Sequence, residues 1–374
     1  MIEVRPPFRL DTQTVAAAVV TPRGSSDVWY RSSHPLGLGA EAWLSVALPV
    51  AMRTGEPLVT DAPVSARWYR AQQQIQHVLA SWYPNLRVIP VTAPVVERPR
   101  ASASVGAFFS GGVDSFSTVL RHRERLSALW VVRGFDITLE DAAGWARTLE
   151  HLTGAAADLG LPLHAIETNL REVINLAGDW GTLTHGAALA SVAQLHQDTF
   201  GGALVSSTHT YRDLFPWGSH PLIDPLWSTE AIDLIHEGAH LTRFQKTADV
   251  AASPIALNHL RVCWQDTGQH NCGRCEKCVR TQTALAFHGA RETPTFETRV
   301  SPALVRTAWL QDENSASFVR EMVEQGPDRH PLMPALRDLL WRYQCGTLGR
   351  AFTPALKQTT PGRLWWWLTT RAGG

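Results

Sequence analysis

The chain has 374 residues, of which 44% are hydrophobic, and this length is enough for two or three domains with a full core. The 34 basic residues balance 34 acidic ones, so no overall positive field favours nucleic acid or an anionic membrane. The N-terminal segment lacks the pattern of a secretory signal, and no segment has the apolar length of a membrane span, so we expect a cytoplasmic protein.

Residues 1–100 predict a small α+β module. Short β-like runs at Thr14–Val20 and Asp27–Tyr30 come first. Apolar residues at helical spacing then predict helices over Ala40–Met52 and Ala66–Trp82. No residue of this module carries evident chemistry.

From residue 101 to residue 290, strand-like apolar runs alternate with helical patterns. The predicted strands are Val105–Phe109, Ala128–Val132, His164–Thr168 and Ala203–Ser206, and the predicted helices between them are Val113–Leu126, Leu139–Leu159 and Gly186–Asp198. This alternation is typical of an α/β fold with a parallel sheet covered on both faces. Residues 291–374 predict a helical C-terminal extension, with helix ends near Gly326 and Gly346.

The sharpest local motif is Ser-Gly-Gly-Val-Asp-Ser at residues 110–115, between the first strand and its helix. Two glycines permit positive φ, and the free N–H groups of the first helical turn form an anion site. An aspartate beside phosphates suggests a bridging Mg²⁺. The alternative is a plain strand–helix turn whose carboxylate favours the helix dipole. The candidate nucleotide-binding residues are Ser110, Gly111, Gly112, Val113, Asp114 and Ser115.

This motif resembles the loop of the PP-loop ATP pyrophosphatases, which include tRNA thiolases, asparagine and GMP synthetases, and 7-cyano-7-deazaguanine synthases. The resemblance implies a HUP-like domain that binds ATP and lets a substrate oxygen attack the α-phosphate, with pyrophosphate as the leaving group. An amine, ammonia or a sulfur nucleophile then displaces AMP. No Walker lysine follows the glycines, which argues against γ-phosphoryl transfer.

The same resemblance implies roles for residues outside the loop. Lys246, in the segment 244–249, looks like the family's lysine near the phosphates and is a candidate catalytic residue with Ser110 and Asp114. The alternative for Lys246 is an exposed helix lysine. Gly134 and Asp136 follow the second strand, where this fold usually meets the adenosine.

Four of the five cysteines are clustered with the spacing C-x8-C-x2-C-x2-C, at Cys263, Cys272, Cys275 and Cys278. Four thiolates can enclose Zn²⁺ and leave no place for water, so the spacing predicts a structural zinc site. An iron–sulfur cluster, a redox pair and a nucleic-acid-binding zinc ribbon stay open. Cys345 is expected to be a small buried residue of a helix.

The loop and the cysteines together make residues 103–290 similar to the 7-cyano-7-deazaguanine synthases, which carry a four-cysteine zinc site and make a nitrile from a carboxylic acid with ATP and ammonia. The chain departs from them at Leu183–Gly186, which lacks their arginine, and in the loop 206–224. We therefore expect a different acceptor, either a small molecule or a peptide or protein terminus. The candidate acceptor-binding residues in that loop are Ser206, His209, Tyr211, Ser219 and Asp224, with a solvated loop as the alternative.

A competing motif, H-E-x-x-H, lies at residues 236–240. On a helix, His236 and His240 would share one face and could hold a catalytic zinc, with Glu237 as the base of a metallohydrolase. Gly238 inside that helix weakens this alternative. A third hypothesis is a nucleotide sensor without catalysis. The favoured expectation is an adenylating ligase that uses ATP, Mg²⁺ and Zn²⁺, with neither nucleic acid nor membrane as a partner, and two copies could pair as a homodimer.

Overall fold

The computed structural model describes residues 1–100, 102–263, 271–290 and 292–358, with side chains up to residue 346. The chain divides into two compact units, Met1–Arg261 and Val262–Gly374. These limits differ from the predicted boundaries at residues 100 and 290. The difference arises because strands from the first hundred residues share one sheet with strands of the following segment.

The first unit contains the strands and helices that build the sheet and its covering layers. Its described strands are β1 (Ile2–Val4), β2 (Phe8–Arg9), β3 (Thr14–Thr21), β4 (Gly24–Ser32), β5 (Leu58–Val59), β6 (Val64–Ser65), β7 (Val91–Thr92), β8 (Val95–Val96), β9 (Val105–Phe108), β10 (Leu126–Arg133), β11 (Leu163–Thr168), β12 (Gly202–Ser206) and β13 (Asp233–Glu237). Its described helices are α1 (Glu41–Thr54), α2 (Ala66–Trp82), α3 (Val113–His122), α4 (Ala142–Leu159), α5 (Arg171–Ile174), α6 (His185–Leu195), α7 (Arg243–Ala252) and α8 (Pro254–His259).

The second unit is helical in its described part. Its helices are α9 (Glu276–Phe287), α10 (Pro302–Thr307), α11 (Glu313–Gln325) and α12 (Met333–Gln358). Helix α12 continues past Gly346, so the predicted helix end at that glycine is wrong. Cys345 lies on an outer face of this helix and is exposed, so the prediction that it is buried is also wrong. No described helix combines the length and apolar character needed to cross a membrane.

Eleven strands form one mixed sheet in the order β13–β12–β9–β10–β11–β4–β3–β1–β5–β7, with β2 paired to β3. The strands from β13 to β11 are parallel. Strand β4 joins β11 in the antiparallel direction, with Ser32 opposite Ile166. The predicted α/β class is thus confirmed, and the sheet is mixed because the β3–β4 hairpin extends its parallel part.

The parallel strands reverse their order next to β9. The chain runs from β9 through α3 to β10 and through α4 to β11, and it returns through α6 to β12 on the other side of β9. Right-handed crossovers therefore place α3 and α4 on one face and α6 on the opposite face. The carboxyl ends of β9 and β12 lie at this reversal of strand order, and sheets of this kind bind ligands in the crevice at such a point.

Large aromatic side chains fill the core of the first unit. Trp43, Trp68 and Trp130 are fully buried. The indole N–H of Trp43 donates to the Val28 carbonyl at 2.8 Å, which satisfies the polar end of a buried ring. Helix α1 is buried on nearly all sides from Glu41 to Met52, as expected for a helix enclosed between layers.

Three histidines form a stack at the amino ends of the parallel strands. The rings of His34 and His164 are nearly parallel, with centroids 4.2 Å apart, and the His196 ring stacks on Trp130 at 4.5 Å. Burial lowers the pKa of His164 to about 4 and that of His196 to about 3. This histidine stack is therefore neutral at pH 7.

Candidate functional site

The glycine loop, residues 110–115, joins the end of β9 to the start of α3. Gly111 has a φ of 73°, and Gly112 is the N-cap of α3 and provides no side-chain cap. Ser110 Oγ lies 3.4 Å from Ser115 Oγ, which also lies 3.1 Å from the Gly112 carbonyl and donates to it. Val113 is buried and anchors the first turn. The amides of this turn are uncapped within the described part of the chain, an arrangement that binds anions at helix N-termini.

Backbone conformation favours a glycine at position 111, and the space around it is also limited. A Cβ atom there would lie 2.8 Å from Leu152 Cδ2 of α4 and 3.5 Å from Arg261 Cβ. The Arg261 amide donates to the Gly111 carbonyl at 2.8 Å. The loop is thus held between α4 and the segment that follows α8, so the protein itself fixes its conformation.

Asp114, on the first turn of α3, faces two cations of α7. Arg243 Nη2 donates to Asp114 Oδ2, and Lys246 Nζ lies 3.5 Å from Asp114 Oδ1. Asp114 Oδ1 is buried and accepts no hydrogen bond from the described residues. A buried carboxylate oxygen beside the loop is the kind of ligand that Mg²⁺ takes, so Asp114 fits the expected cation.

Lys246 reaches under the loops that follow β12 and β13. Its Nζ donates to the Ser207 carbonyl, and its side chain is only 2% exposed. The alternative of an exposed helix lysine is therefore wrong. Gly238, with a φ of 84°, leaves room for this side chain, because a Cβ there would lie 3.2 Å from Lys246 Cε. Asp249 also ties α7 to α3 by accepting a hydrogen bond from Ser117 Oγ at 2.6 Å.

Gly134 and Asp136 lie at the carboxyl end of β10, as predicted from the chain order. A Cβ at Gly134 would lie 1.8 Å from the Thr168 carbonyl oxygen, so the backbone of β11 already demands this glycine. Asp136 Oδ1 accepts a hydrogen bond from Trp180 Nε1 at 3.2 Å. Contact with an adenosine stays a prediction for both residues.

The candidate acceptor residues differ in their surroundings. Ser206 ends β12, and its buried hydroxyl finds no hydrogen-bond partner among the described residues. His209 is buried, and this burial, followed by the positive charge of Arg243, lowers its pKa to about 4. Its imidazole is therefore neutral at pH 7. Tyr211 is 61% exposed, so it lies on the surface.

Asp224 fixes the end of the loop 206–224 to β13. Its carboxylate is 2% exposed and accepts from Ser219 Oγ at 2.6 Å, from His236 Nδ1 at 2.7 Å and from the His220 amide at 3.1 Å. These bonds occupy the oxygens that recognition of an acceptor would need. Asp224 and Ser219 thus position the loop, and the predicted contact with an acceptor would require breaking these bonds.

The H-E-x-x-H segment is not helical. His236 and Glu237 belong to β13, and Gly238 turns the chain with a φ of 84°. The His236 side chain contacts Asp224, whereas Glu237 Oε1 lies 3.2 Å from His122 Nε2, consistent with the alternating directions of side chains along a strand. The metallohydrolase alternative needs this segment to be a helix. That expectation is wrong, because residues 233–237 form a strand that pairs with β12.

The four cysteines of the second unit converge. Their sulfurs lie within 4.8 Å of one another, with 3.8 Å between Cys263 and Cys275 and 3.9 Å between Cys272 and Cys278. Sulfurs at about 2.3 Å from a tetrahedral zinc would be roughly 3.8 Å apart. The hydrogen bond from Cys278 lowers the pKa of the Cys275 thiol, which favours a thiolate. The cluster can hold a metal ion, and it is the one converging group of three or more such ligands in the described residues.

The cysteine turn, residues 272–275, directs two amides at one sulfur. The amides of Arg274 and Cys275 donate to Cys272 Sγ at 3.4 and 3.3 Å. Gly273 has a φ of 70°, and a Cβ there would lie 2.5 Å from the Thr298 carbonyl oxygen. These N–H···S bonds stabilise a thiolate and orient it as a ligand.

Comparison with known proteins gives no relative: no family model, no curated protein and no solved structure matches this chain. The structure brings the glycine loop, Lys246 and His209 to one end of the sheet. It adds Arg243, which sequence reasoning missed. The available signal was its spacing from Lys246, since residues i and i+3 share one face of a helix.

Proposed function

We propose that this chain is an ATP-using enzyme with a HUP-like domain of the PP-loop type. In this proposal it transfers AMP to an acceptor oxygen and lets ammonia or another nitrogen nucleophile displace the AMP. The observation that carries the proposal is the uncapped N-terminus of α3, which Gly111 and Gly112 open where the strand order reverses. Two cationic side chains of α7 lie beside it.

The triphosphate of ATP matches the donors of this crevice. The amides of the glycine loop and the hydroxyls of Ser110 and Ser115 would bind phosphate oxygens, and Lys246 would neutralise the charge that develops as pyrophosphate leaves. Mg²⁺, when bound, supplies further neutralisation of the phosphates, and Asp114 is the residue that would hold it.

The chemistry has two steps. The acceptor oxygen attacks the α-phosphorus, the bond to the α–β bridging oxygen breaks, and pyrophosphate leaves with the bonding electrons. The nitrogen nucleophile then attacks the acceptor carbon that bears the adenylated oxygen and loses a proton. The bond between that carbon and that oxygen breaks, and AMP leaves with the bonding electrons. We place the acceptor, a small acid or a peptide or protein terminus, near His209, because its neutral imidazole can donate or accept a hydrogen bond there.

The cysteine cluster is proposed to hold structural zinc. Four converging sulfurs fill a tetrahedron and leave no position for a reacting water, so the metal would contribute to folding rather than to chemistry.

The proposal is tested by mass spectrometry of reactions with ATP, MgCl₂, ammonium chloride and a panel of carboxylic acids that includes the deazaguanine acid. We expect AMP and pyrophosphate to form with one acid, and Asp114→Ala to slow their formation by about 100-fold or more, because it removes the carboxylate that would hold Mg²⁺ at the phosphates. Ser110→Ala should slow it less, because the amides of the loop remain.

The matched control is Ser81→Ala, which removes an exposed serine hydroxyl of α2 far along the chain from the loop. It should leave AMP formation unchanged. Saturable ATP binding with no AMP from any acid would support the sensor alternative. AMP formation that is equally fast in wild type and in the Asp114 and Ser110 variants would overturn the proposed site.

A further inference from the structure

His236 forms a buried pair with a carboxylate near the carboxyl end of β13. Its side chain is 3% exposed, and its Nδ1 donates to Asp224 Oδ2 at 2.7 Å. An ionised carboxylate only accepts hydrogen bonds, so the proton of this bond belongs to Nδ1. The Nε2 atom of the same ring is buried and has no hydrogen-bond partner among the described residues. In a neutral imidazole of this tautomer, Nε2 carries the lone pair and accepts protons.

The partners of this ring hold it in one orientation and leave Nε2 unused. Asp224 is fixed in turn, because it also accepts from Ser219 Oγ at 2.6 Å and from the His220 amide at 3.1 Å. A buried acceptor without a donor costs stability, so it calls for a reason. A carboxylate on Nδ1 and a free lone pair on Nε2 are the arrangement by which catalytic triads let a histidine take a proton.

The position of His236 relates this base to the proposed reaction. His236 lies two residues before Gly238, where a Cβ would lie 3.2 Å from Lys246 Cε. Its partner Asp224 ends the loop 206–224, which contains the candidate acceptor residues. The proposed phosphate lysine and the proposed acceptor loop thus both contact the end of β13 that carries His236.

We propose that His236 is the general base of the second chemical step and that Asp224 is the residue that positions it. This inference rests on the proposed function, because it assigns a residue to the attack of the nitrogen nucleophile. When ammonia attacks the acceptor carbon, the new C–N bond leaves a positive charge on the nitrogen. One N–H proton passes to His236 Nε2, and its bonding electrons stay on the nitrogen. Asp224 stabilises the imidazolium that forms.

The remaining events complete the step without a further reactant. The bond between the acceptor carbon and the adenylated oxygen breaks, and AMP leaves with the bonding electrons. The imidazolium of His236 then gives its proton to water, which returns the ring to its neutral form. His236 takes no part in the first step, because there an oxygen of the acceptor attacks the α-phosphorus and no nitrogen has to lose a proton.

A purely structural role is the competing explanation, because a buried pair between a loop and a strand also stabilises the fold. His196 provides the matched control. It is buried, its Nδ1 lies 2.9 Å from the Val192 carbonyl oxygen, and its Nε2 also has no partner among the described residues. It follows α6 and precedes β12, so it lies toward the amino end of that strand. His196→Gln therefore removes an equally buried imidazole away from the proposed site.

The experiment measures the two steps separately, with the acid from the panel that yields AMP. Single-turnover release of pyrophosphate without ammonia reports the first step, and formation of the C–N product with ammonium chloride reports the second. His236→Gln should keep the first rate within about 2-fold and slow the second by about 100-fold, because an amide side chain cannot take up the proton. His196→Gln should match wild type in both rates. Thermal unfolding is measured for every variant.

Added imidazole distinguishes a missing base from a missing ring. In His236→Ala, imidazole should enter the cavity and raise the rate of C–N product formation by about 10-fold or more, because it supplies a base at the same place. Pyrazole has the same shape but is a far weaker base, so it should fill the cavity without this gain. Neither compound should change the rates of His196→Ala.

A double variant tests the role of Asp224. Asp224→Asn should slow the second step, because it no longer holds a charge beside the imidazolium. If Asp224 acts through His236, the double variant Asp224→Asn/His236→Gln should be no slower in this step than His236→Gln alone. Full additivity of the two losses would show that Asp224 does not act by positioning His236.

Failure of the inference and failure of the proposed function give different results. Wild type that releases pyrophosphate with no acid contradicts both, because a base for the second step then has no reaction to serve. Wild type that performs both steps, together with a His236→Gln variant that forms the C–N product equally fast, contradicts the inference alone. Equal loss of both steps in His236→Gln, or equal rescue of His236→Ala by pyrazole and imidazole, would show that the ring only supports the fold.

Discussion

A glycine with positive φ lies just before a helix in both the glycine loop and the cysteine turn. Gly111 has a φ of 73° and precedes α3, and Gly273 has a φ of 70° and precedes α9. In the cysteine turn the amides that follow the glycine donate to Cys272 Sγ. In the glycine loop the helix start has no side-chain cap. A similar glycine conformation is thus followed by amides that a sulfur satisfies in the cysteine turn, and by amides that we propose to bind an anion in the glycine loop.

This difference separates two kinds of site. A turn whose amides and sulfurs satisfy one another needs only a metal ion to be complete, so damage to it should reduce folding stability. A loop with uncapped amides depends on a ligand from outside, so damage to it should reduce affinity more than stability. Substitutions at corresponding positions of the two regions can test this distinction.

The largest expected effect is the loss of the metal site. Cys275→Ser removes one of four ligands and should cost the bound metal and several kcal/mol of the free energy of unfolding, on the order of 5. Metal content by inductively coupled plasma mass spectrometry and thermal unfolding measure the two losses. Cys345→Ser is the matched control, because Cys345 is exposed and outside the cluster. Full metal content in Cys275→Ser would refute the site.

The next effect is a clash in the cysteine turn. In Gly273→Ala the new methyl would meet the Thr298 carbonyl at 2.5 Å, which is backbone and cannot move aside easily. We expect a loss of about 2–4 kcal/mol in chemical unfolding, from the positive φ and the clash together. Gly289→Ala is the control, because Gly289 has a φ of 82° and no atom of the described residues lies within 4 Å of its would-be Cβ. Equal losses in both variants would show that the contact with Thr298 costs nothing.

A smaller loss of stability is expected at the corresponding glycine of the loop. In Gly111→Ala the nearest atom is a methyl of Leu152, which can shift, so we expect about 1–2 kcal/mol. Its affinity for ATP should fall by about 10-fold or more, since the amides would be reoriented. Calorimetry and urea unfolding measure the two quantities. A Gly111→Ala variant that loses stability but binds ATP normally would contradict the expectation that damage to the glycine loop reduces affinity more than stability.

Both the glycine loop and the cysteine cluster could be predicted from the sequence, because each is a contiguous motif. The glycine loop and the cysteine spacing lie within a few residues, and helix α2 forms over Ala66–Trp82, the range that its apolar spacing predicts. The strand β13 was not accessible, since a short apolar run suits a strand or a helix equally. The pairing of Arg243 with Asp114 was missed for another reason: it joins residues that lie 129 positions apart, and only the sheet brings them together.

The smallest effect concerns the histidine stack, at the opposite ends of the strands from the glycine loop. Because the folded pKa of His196 lies below its unfolded value of about 6.5, stability from this neutral ring is complete above that pH and falls below it, by at most ~1.4 kcal/mol per pH unit. His196→Phe keeps a ring against Trp130 and should lose less stability than wild type between pH 7 and pH 6 in urea unfolding. Equal losses of stability in wild type and in His196→Phe would show that His196 does not cause the loss at lower pH.

The antiparallel pairing of β4 with β11 has a consequence for shortened forms of this protein. Without the N-terminal hairpin, the last parallel strand would present its unpaired N–H and C=O groups along residues 166–168 to other molecules. Such an open strand recruits further strands and leads to self-association. A chain that begins at residue 101 should therefore precipitate or form oligomers even though it keeps every residue of the glycine loop. The N-terminal strands thus cover the edge of the parallel part of the sheet and prevent further strands from adding to it.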